Sequence, residues 1–165
     1  MSFLELFRKK NRIAVSDEDI VAIGDAKLLP ITEVNDPVFS KKLMGDGVAF
    51  QFDGDTVTLC SPANGTLSVL FPTGHAFGVT MKNGAELLVH CGLETVNANG
   101  EGFQTLGKKQ GSTVSAGDPI VKVDLKKLKK FYDMTTMLVI TDDNGNHIDF
   151  LQTGNISKGN SIIIK

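Results

Sequence analysis

Tryptophan is absent from this chain of 165 residues, tyrosine occurs once and cysteine only twice. Cys60 and Cys91 are far apart in sequence and lack the C-x-x-C spacing, so they do not define a disulfide scaffold. We therefore expect two reduced, buried thiols in a cytoplasmic protein. No run of 18 or more apolar residues occurs, which excludes a helical membrane span. The apolar stretch near the start is interrupted by Glu5 and followed by basic residues, so we expect no signal peptide.

The chain also lacks a strong excess of charge of either sign, because its net charge is -2. A global positive field that would recruit nucleic acid is therefore excluded. The lysine-rich stretch "DLKKLKKF" predicts instead a short helix. Leu125, Leu128 and Phe131 share its apolar face at helical spacing, and its lysines face water.

Glycine is abundant, with 17 residues, and short apolar runs alternate with turn residues along most of the chain. Many short strands with regular turns predict an all-β sandwich or barrel with short helical segments. The predicted strands cover residues 47–52, 56–61, 65–71, 75–81, 85–91, 119–125, 136–141 and 161–165.

The N-terminus has the pattern of a separate segment, and we divide the chain into a flexible or amphipathic tail, 1–15, and a single β domain, 16–165. Ser2 and Glu5 have capping-box spacing, and apolar and basic residues follow. Such a short helix is marginal in water, but it predicts weak contact of residues 1–12 with an anionic membrane, peripheral at the inner face.

Two of the three histidines flank an Asn-Gly pair in "TGHAFGVTMKNGAELLVHCG", residues 73–92. Asn-Gly between β-rich segments predicts a hairpin with a two-residue turn. In such a hairpin, the numbers of two residues that lie opposite each other on the paired strands add up to 167 or, if the turn is shifted by one residue, to 165. Both registers place His75 and His90 on the same face, within reach of each other.

Two imidazoles on one sheet face allow several interpretations. They can form a half-buried pair without chemistry, or part of a metal site, although zinc needs three or four ligands and Cys91 points to the opposite face. Phosphoryl transfer fits the pair best. A neutral imidazole is a nucleophile near pH 7, and a second imidazole can stabilise the phosphoryl oxygens.

The segment "GAELLVHCGLETV" (84–96) resembles the phosphohistidine signature of the glucose-type IIA phosphocarriers of the bacterial sugar phosphotransferase system. "FPTGHAFG", "EVNDPVFSKKLMGDGVAF" and "GEGF" (100–103) resemble further segments of that family. Cys91 replaces the usual apolar residue after the histidine, Ala98 replaces a common leucine, and "AIGDAKLL" replaces a usual Pro- and Gly-containing strand. These departures leave both histidines in place.

The resemblance implies an all-β sandwich of mostly antiparallel strands and a phosphotransferase function that requires no cofactor. It implies that His90 is phosphorylated at Nε2 by the carrier protein HPr and passes the group to a cysteine of the transporter's IIB domain. His75 would bind the phosphoryl oxygens, and Thr73 would orient His75.

The same segments supply a predicted docking rim of apolar residues: Val38, Phe39, Leu43, Met44, Phe71, Phe77 and Leu88. Asp36 and Glu94 are the carboxylates expected to meet arginines of the partners. Within the rim we expect four side chains chiefly at the surface, those of Val38, Phe39, Met44 and Phe71.

Three other functions stay open at this point. A zinc metallopeptidase of similar architecture would need an H-x-H pair, which does not occur. A lipoyl- or biotinyl-type carrier module would use Lys82 at the hairpin tip, but the flanking motif is missing. A regulatory protein that binds permeases or metabolic enzymes could share zinc with its partner at His75 and His90.

Overall fold

The computed structural model describes residues 14–164, and these residues form eleven β-strands in two antiparallel sheets. The strands are β1 (Ala26–Pro30), β2 (Gly47–Gln51), β3 (Thr56–Cys60), β4 (Gly65–Leu70), β5 (Ala76–Met81), β6 (Glu86–Cys91), β7 (Phe103–Thr105), β8 (Thr113–Val114), β9 (Pro119–Asp124), β10 (Thr136–Asp142) and β11 (Gly154–Ile156). One sheet has the order β11-β1-β2-β10-β6-β5-β4-β8, and the other has the order β3-β9-β7. The predicted all-β fold of mostly antiparallel strands is therefore confirmed.

Four short helical elements accompany the strands in the described part of the chain. The 3-10 turns cover Ile31–Glu33 and Thr95–Ala98, and the α-helices are α1 (Pro37–Ser40) and α2 (Leu125–Leu128). Asp36 caps α1 by accepting a hydrogen bond from the Val38 N–H at 2.9 Å, and a proline follows the cap. Both features are typical of a helix start, which explains why this short segment is helical.

Buried apolar residues form two clusters, one on each face of the large sheet. The main cluster fills the space between the two sheets and includes Phe50, Leu138 and Val121. A smaller cluster, which we call the outer cluster, covers the opposite face of the large sheet and consists of Ile31, Val34, Phe39, Ala49, Met137 and Val139. Successive side chains of a strand point to opposite faces of the sheet, so β2 and β10 contribute to both clusters. Because both of their faces are buried, these strands are mostly apolar in sequence.

Most predicted strands are present, but several elements differ from prediction. Of the predicted strand 161–165, the described residues 161–164 form no regular strand but take part in the isolated bridges Val21–Ser161 and Phe150–Ile163. The strands β1, β7, β8 and β11 and the helix α1 were not predicted. The lysine-rich helix is confirmed with Leu125 and Leu128 buried, but it ends at Leu128, and Phe131 is 76% exposed instead of packing on the apolar face.

The predicted N-terminal membrane-binding helix, residues 1–12, lies outside the described residues, so it and the division at residue 15 stay predictions. Among residues 14–164, no helix is both long enough and apolar enough to cross a membrane.

Candidate functional site

The β5–β6 hairpin has a different register from the predicted one. Ala76 pairs with His90 and Thr80 pairs with Glu86, so opposed residue numbers sum to 166 instead of 165 or 167. The loop contains three residues, because the Met81 N–H donates to the Ala85 carbonyl at 2.8 Å and closes the hairpin there. Within it Gly84 has a positive φ of 88° while Asn83 does not, so the two-residue turn was the wrong prediction.

The two histidines nevertheless meet. Ala76 is the residue opposite His90 and shares its face of the sheet. If side chains alternated strictly along the strand, residue 75 would point to the opposite face. His75, however, lies one residue before β5, at a bend after Gly74, whose φ is 77°. Its ring is perpendicular to that of His90, with the centroids 5.3 Å apart. The predicted proximity of the two imidazoles is confirmed, although the predicted register was not its cause.

The hydrogen bond of His90 fixes the tautomer of its ring. The Nδ1 atom lies 2.9 Å from the carbonyl oxygen of Gly92. A carbonyl oxygen only accepts, so Nδ1 carries the proton and donates it. In the neutral ring the lone pair is then on Nε2, the nitrogen that can attack an electrophile.

His75 is held by the side chain of Thr73, whose Oγ1 lies 2.6 Å from Nδ1 of the ring. A hydroxyl can both donate and accept, so Thr73 can hold the imidazole in its neutral and its protonated form. His75 is only 4% exposed, and this contact fixes which nitrogen remains available to a ligand.

Burial keeps both imidazoles neutral. The pKa of His75 is lowered, chiefly because burial disfavours the charged ring and secondarily because His90 is close. The pKa of His90 is also lowered by burial, and this effect is partly opposed by the Gly92 carbonyl and by the carboxylate of Asp36. Both rings are therefore mainly uncharged near pH 7, as a nucleophilic imidazole must be.

Two phenylalanines flank the imidazoles. The ring of Phe39 lies 5.4 Å from that of His90, and the ring of Phe71 lies 5.1 Å from that of His75, measured between centroids. Phe71 is 40% exposed, whereas Phe39 is buried in the outer cluster. The two imidazoles thus lie between two phenylalanine rings, of which that of Phe71 reaches the surface.

The structure brings only part of the predicted docking rim to the surface. Val38, Leu43 and Phe71 are exposed, and Met44 and Leu88 are partly buried against the outer cluster. The expected exposure of Phe39 is wrong, because its ring packs into that cluster beside His90.

The placement of Phe77 at the rim is also wrong. It is 1% exposed, because it pairs with Val89 and both side chains lie in the main cluster between the sheets. The predicted carboxylates lie nearer the surface: Asp36 caps α1 and is partly buried, while Glu94 is exposed in a left-handed conformation with φ 58°.

Two residues of the segment that follows His90 were not singled out in the sequence. Gly92 supplies the carbonyl that binds His90, and the signal for it was the glycine two positions after the histidine. Val96 is 53% exposed in the 3-10 turn that follows Glu94, so it adds to the exposed apolar surface; its signal was the apolar residue that ends the signature.

The remaining histidine and the two cysteines do not belong to this site. His147 lies at the surface with its Nε2 2.8 Å from Oδ2 of Asp149. Cys60 and Cys91 are buried, as predicted. Burial raises the pKa of Cys91 to about 12 despite a hydrogen bond from Thr136, so its thiol is no nucleophile at neutral pH.

Residues 14–164 contain no group of three or more side chains arranged to hold a metal ion. His75 and His90 together offer two imidazole donors, and a tetrahedral zinc site needs further ligands from elsewhere.

Comparisons with known proteins identify the family of this chain. Residues 18–145 match the model of the phosphoenolpyruvate-dependent sugar phosphotransferase system EIIA 1 family. The chain belongs to this family. A solved structure of the glucose permease IIA from Mycoplasma capricolum superposes with a TM-score of 0.81 at 34% identity, covering 88% of this chain and 93% of that one.

Two proteins of Staphylococcus carnosus (strain TM300) are also similar. The PTS system glucose-specific EIICBA component is 42% identical over 139 residues, and the glucoside-specific EIICBA component is 41% identical over 159 residues. These matches cover 84% and 91% of this chain but only 20% and 22% of the relatives, so the chain spans about a fifth of their length.

Family membership confirms the predicted phosphotransferase function: the chain is an EIIA relay component, which transfers phosphoryl groups within the phosphoenolpyruvate-dependent sugar phosphotransferase system. The metallopeptidase, carrier-module and purely regulatory alternatives find no support in these matches.

Proposed function

We propose that His90 is the phosphoryl acceptor of this EIIA domain and that His75, held by Thr73, stabilises the transferred group. The observation that carries the proposal is the bond from His90 Nδ1 to the Gly92 carbonyl, because it leaves the lone pair on Nε2 beside a second imidazole. The family match gives the reaction class but assigns no residue.

The transfer step needs only groups that this site and its donor supply. The Nε2 lone pair of His90 attacks phosphorus, an N–P bond forms, and the bond from phosphorus to the donor breaks with its electron pair remaining on the donor. Three phosphoryl oxygens then carry the charge, and an N–H of His75 can donate to one of them. Such transfer depends mostly on positioning and charge stabilisation.

The donor in this proposal is HPr, and the acceptor is a cysteine of a IIB domain. The names of the Staphylococcus relatives include a B component together with A, which supports a IIB partner. The exposed apolar residues Val38, Leu43 and Phe71 are the contact surface that we assign to both partners, with Asp36 and Glu94 meeting arginines. Charged contacts at the rim of an interface mainly speed association, which suits a carrier that must bind and release in turn.

No metal is needed for this step. Zinc shared with a regulatory partner stays a separate prediction, in which the imidazoles of His75 and His90 supply two ligands and the partner supplies the others.

Labelling from phosphoenolpyruvate tests the proposed donor. The chain is incubated with HPr, the kinase that phosphorylates HPr, and radiolabelled phosphoenolpyruvate. We expect label on this chain that is stable in alkali and labile in acid, as a phosphohistidine is, and only when HPr is present. Label that appears without HPr, or none with it, would contradict the proposed donor.

A further inference from the structure

Thr95 is the next-to-last residue of the signature segment 84–96, and its hydroxyl binds a backbone carbonyl close to His90. The residue is fully buried, with 0% exposure, and begins the 3-10 turn Thr95–Ala98. Its Oγ1 donates to the carbonyl oxygen of Cys91 at 2.5 Å. A buried hydroxyl that bonds a backbone carbonyl fixes the orientation of that peptide group.

The peptide that Thr95 holds is next to the one that binds His90. Its carbonyl oxygen, on Cys91, accepts from Thr95, and its N–H, on Gly92, donates to the Thr135 carbonyl at 3.2 Å. In the following peptide the Leu93 N–H donates to the Asp133 carbonyl at 2.8 Å. The oxygen of that second peptide is the Gly92 carbonyl that accepts from His90 Nδ1.

Gly92 makes this tethering necessary. Its φ is 81°, and a Cβ at this position would lie 2.5 Å from Cγ2 of Thr95 and 2.9 Å from Sδ of Met134. Only glycine fits, yet glycine is also the residue with the greatest backbone freedom. The Leu93 N–H anchors the peptide on the C-terminal side of Gly92, and the Thr95 hydroxyl anchors the peptide on its N-terminal side, so the two bonds together limit rotation of the Gly92 carbonyl away from the His90 ring.

We infer that Thr95 is a positioning residue for His90: its hydroxyl fixes the Cys91–Gly92 peptide and thereby keeps the Gly92 carbonyl against Nδ1, so that the lone pair stays on Nε2. The inference rests on the proposed role of His90 as acceptor. Thr95 acts through the backbone and does not touch the phosphoryl group. A histidine whose other nitrogen is held by a defined acceptor keeps one tautomer, and loss of such a partner releases it.

The test compares three variants by the ¹⁵N spectrum of the His90 imidazole at neutral pH and by the rate of phosphoryl acceptance from HPr. Thr95→Val removes the hydroxyl and keeps the shape, Thr95→Ser keeps the hydroxyl, and Ser61→Ala is the matched control. Ser61 is another fully buried hydroxyl, which donates to the Ala63 carbonyl at 2.7 Å outside the site.

We expect Thr95→Val to show a mixture of both His90 tautomers and an acceptance rate about ten-fold lower, since small misplacements of reacting groups have large kinetic effects. Thr95→Ser and Ser61→Ala should keep the single Nδ1–H tautomer. A folded Thr95→Val with the wild-type spectrum and rate would overturn the inference. So would a Thr95→Ser variant as impaired as Thr95→Val, because the methyl group would then be responsible.

The spectrum of the wild-type protein is a further readout, which covers the case of a variant that does not fold. The wild-type protein alone must show only the Nδ1–H tautomer, and a mixture there would overturn the inference without any substitution. The spectrum is recorded without a phosphoryl donor, so it stays informative if another residue proves to be the acceptor. The two proposals can therefore fail separately.

Discussion

The three histidines of this chain lie in two contrasting settings. His75 and His90 are packed against each other and against phenylalanine rings, and their Nδ1 atoms contact a hydroxyl and a carbonyl. His147 has a side chain that is 88% exposed, and its partner is the carboxylate of Asp149. Burial favours the neutral ring of His75 and of His90, with one lone pair free, whereas His147 lies open to solvent. The surroundings of an imidazole, rather than the residue type, therefore decide whether it can act as a nucleophile.

The largest expected effect comes from replacing His90, the proposed nucleophile, and replacement of the exposed His147 is the matched control. His90→Gln should lose phosphoryl acceptance completely, because glutamine has no nitrogen lone pair to attack phosphorus. His147→Gln should accept at the wild-type rate. Labelling from phosphoenolpyruvate through HPr measures both. Residual label on His90→Gln, or loss of label from His147→Gln, would contradict the proposed difference between the two settings.

A smaller effect is expected within the buried pair. His75→Gln should still accept a phosphoryl group but pass it to IIB about 100-fold more slowly, because a donor that stabilises the transferred oxygens is typically worth that much. Chase of the labelled variant with a IIB domain measures the onward step. Normal onward transfer would mean that His75 is only a neighbour of His90.

The smallest expected effect is on stability as a function of pH. Both site histidines have lowered pKa values when folded, whereas in the unfolded chain their pKa is about 6.5. The unfolded state therefore binds more protons just below pH 6.5. The free energy of unfolding should fall as the pH drops through that value and level off below the folded pKa values.

Denaturant unfolding between pH 5 and 8 measures this effect, with the double variant His75→Gln, His90→Gln as the comparison. The double variant should show a flatter pH dependence than the wild type. An equal change of the free energy of unfolding with pH in both proteins would contradict the proposed burial of neutral rings.

The sequence predicted which two imidazoles lie together better than it predicted the path of the backbone. Apolar runs and the Asn-Gly pair located β5 and β6, while the signature singled out His90 and the segment "FPTGHAFG" singled out His75. The register was wrong because Asn-Gly fits both a two-residue and a three-residue loop. The choice depends on a local contact, in which the Asn83 side chain accepts from the Ala85 N–H at 3.0 Å.

Elements of few residues could not be predicted, because so short a segment shows too little of a sequence pattern. Strands β7, β8 and β11 have two or three residues each, too few to show an alternating pattern. Helix α1 has one turn, and without it the burial of Phe39 could not be foreseen. The outer cluster that buries Phe39 is built from residues distant in sequence, such as Ile31 and Met137.

The most direct test of the account is to locate the phosphoryl group at atomic level in the wild-type protein. After phosphorylation through HPr, ³¹P and ¹⁵N spectra of the labelled imidazoles identify the nitrogen that carries phosphorus. We predict a single N–P bond at Nε2 of His90, with Nδ1 still protonated toward the Gly92 carbonyl. Phosphorus on Nδ1 of His90, or on either ring nitrogen of His75 or His147, would contradict the account.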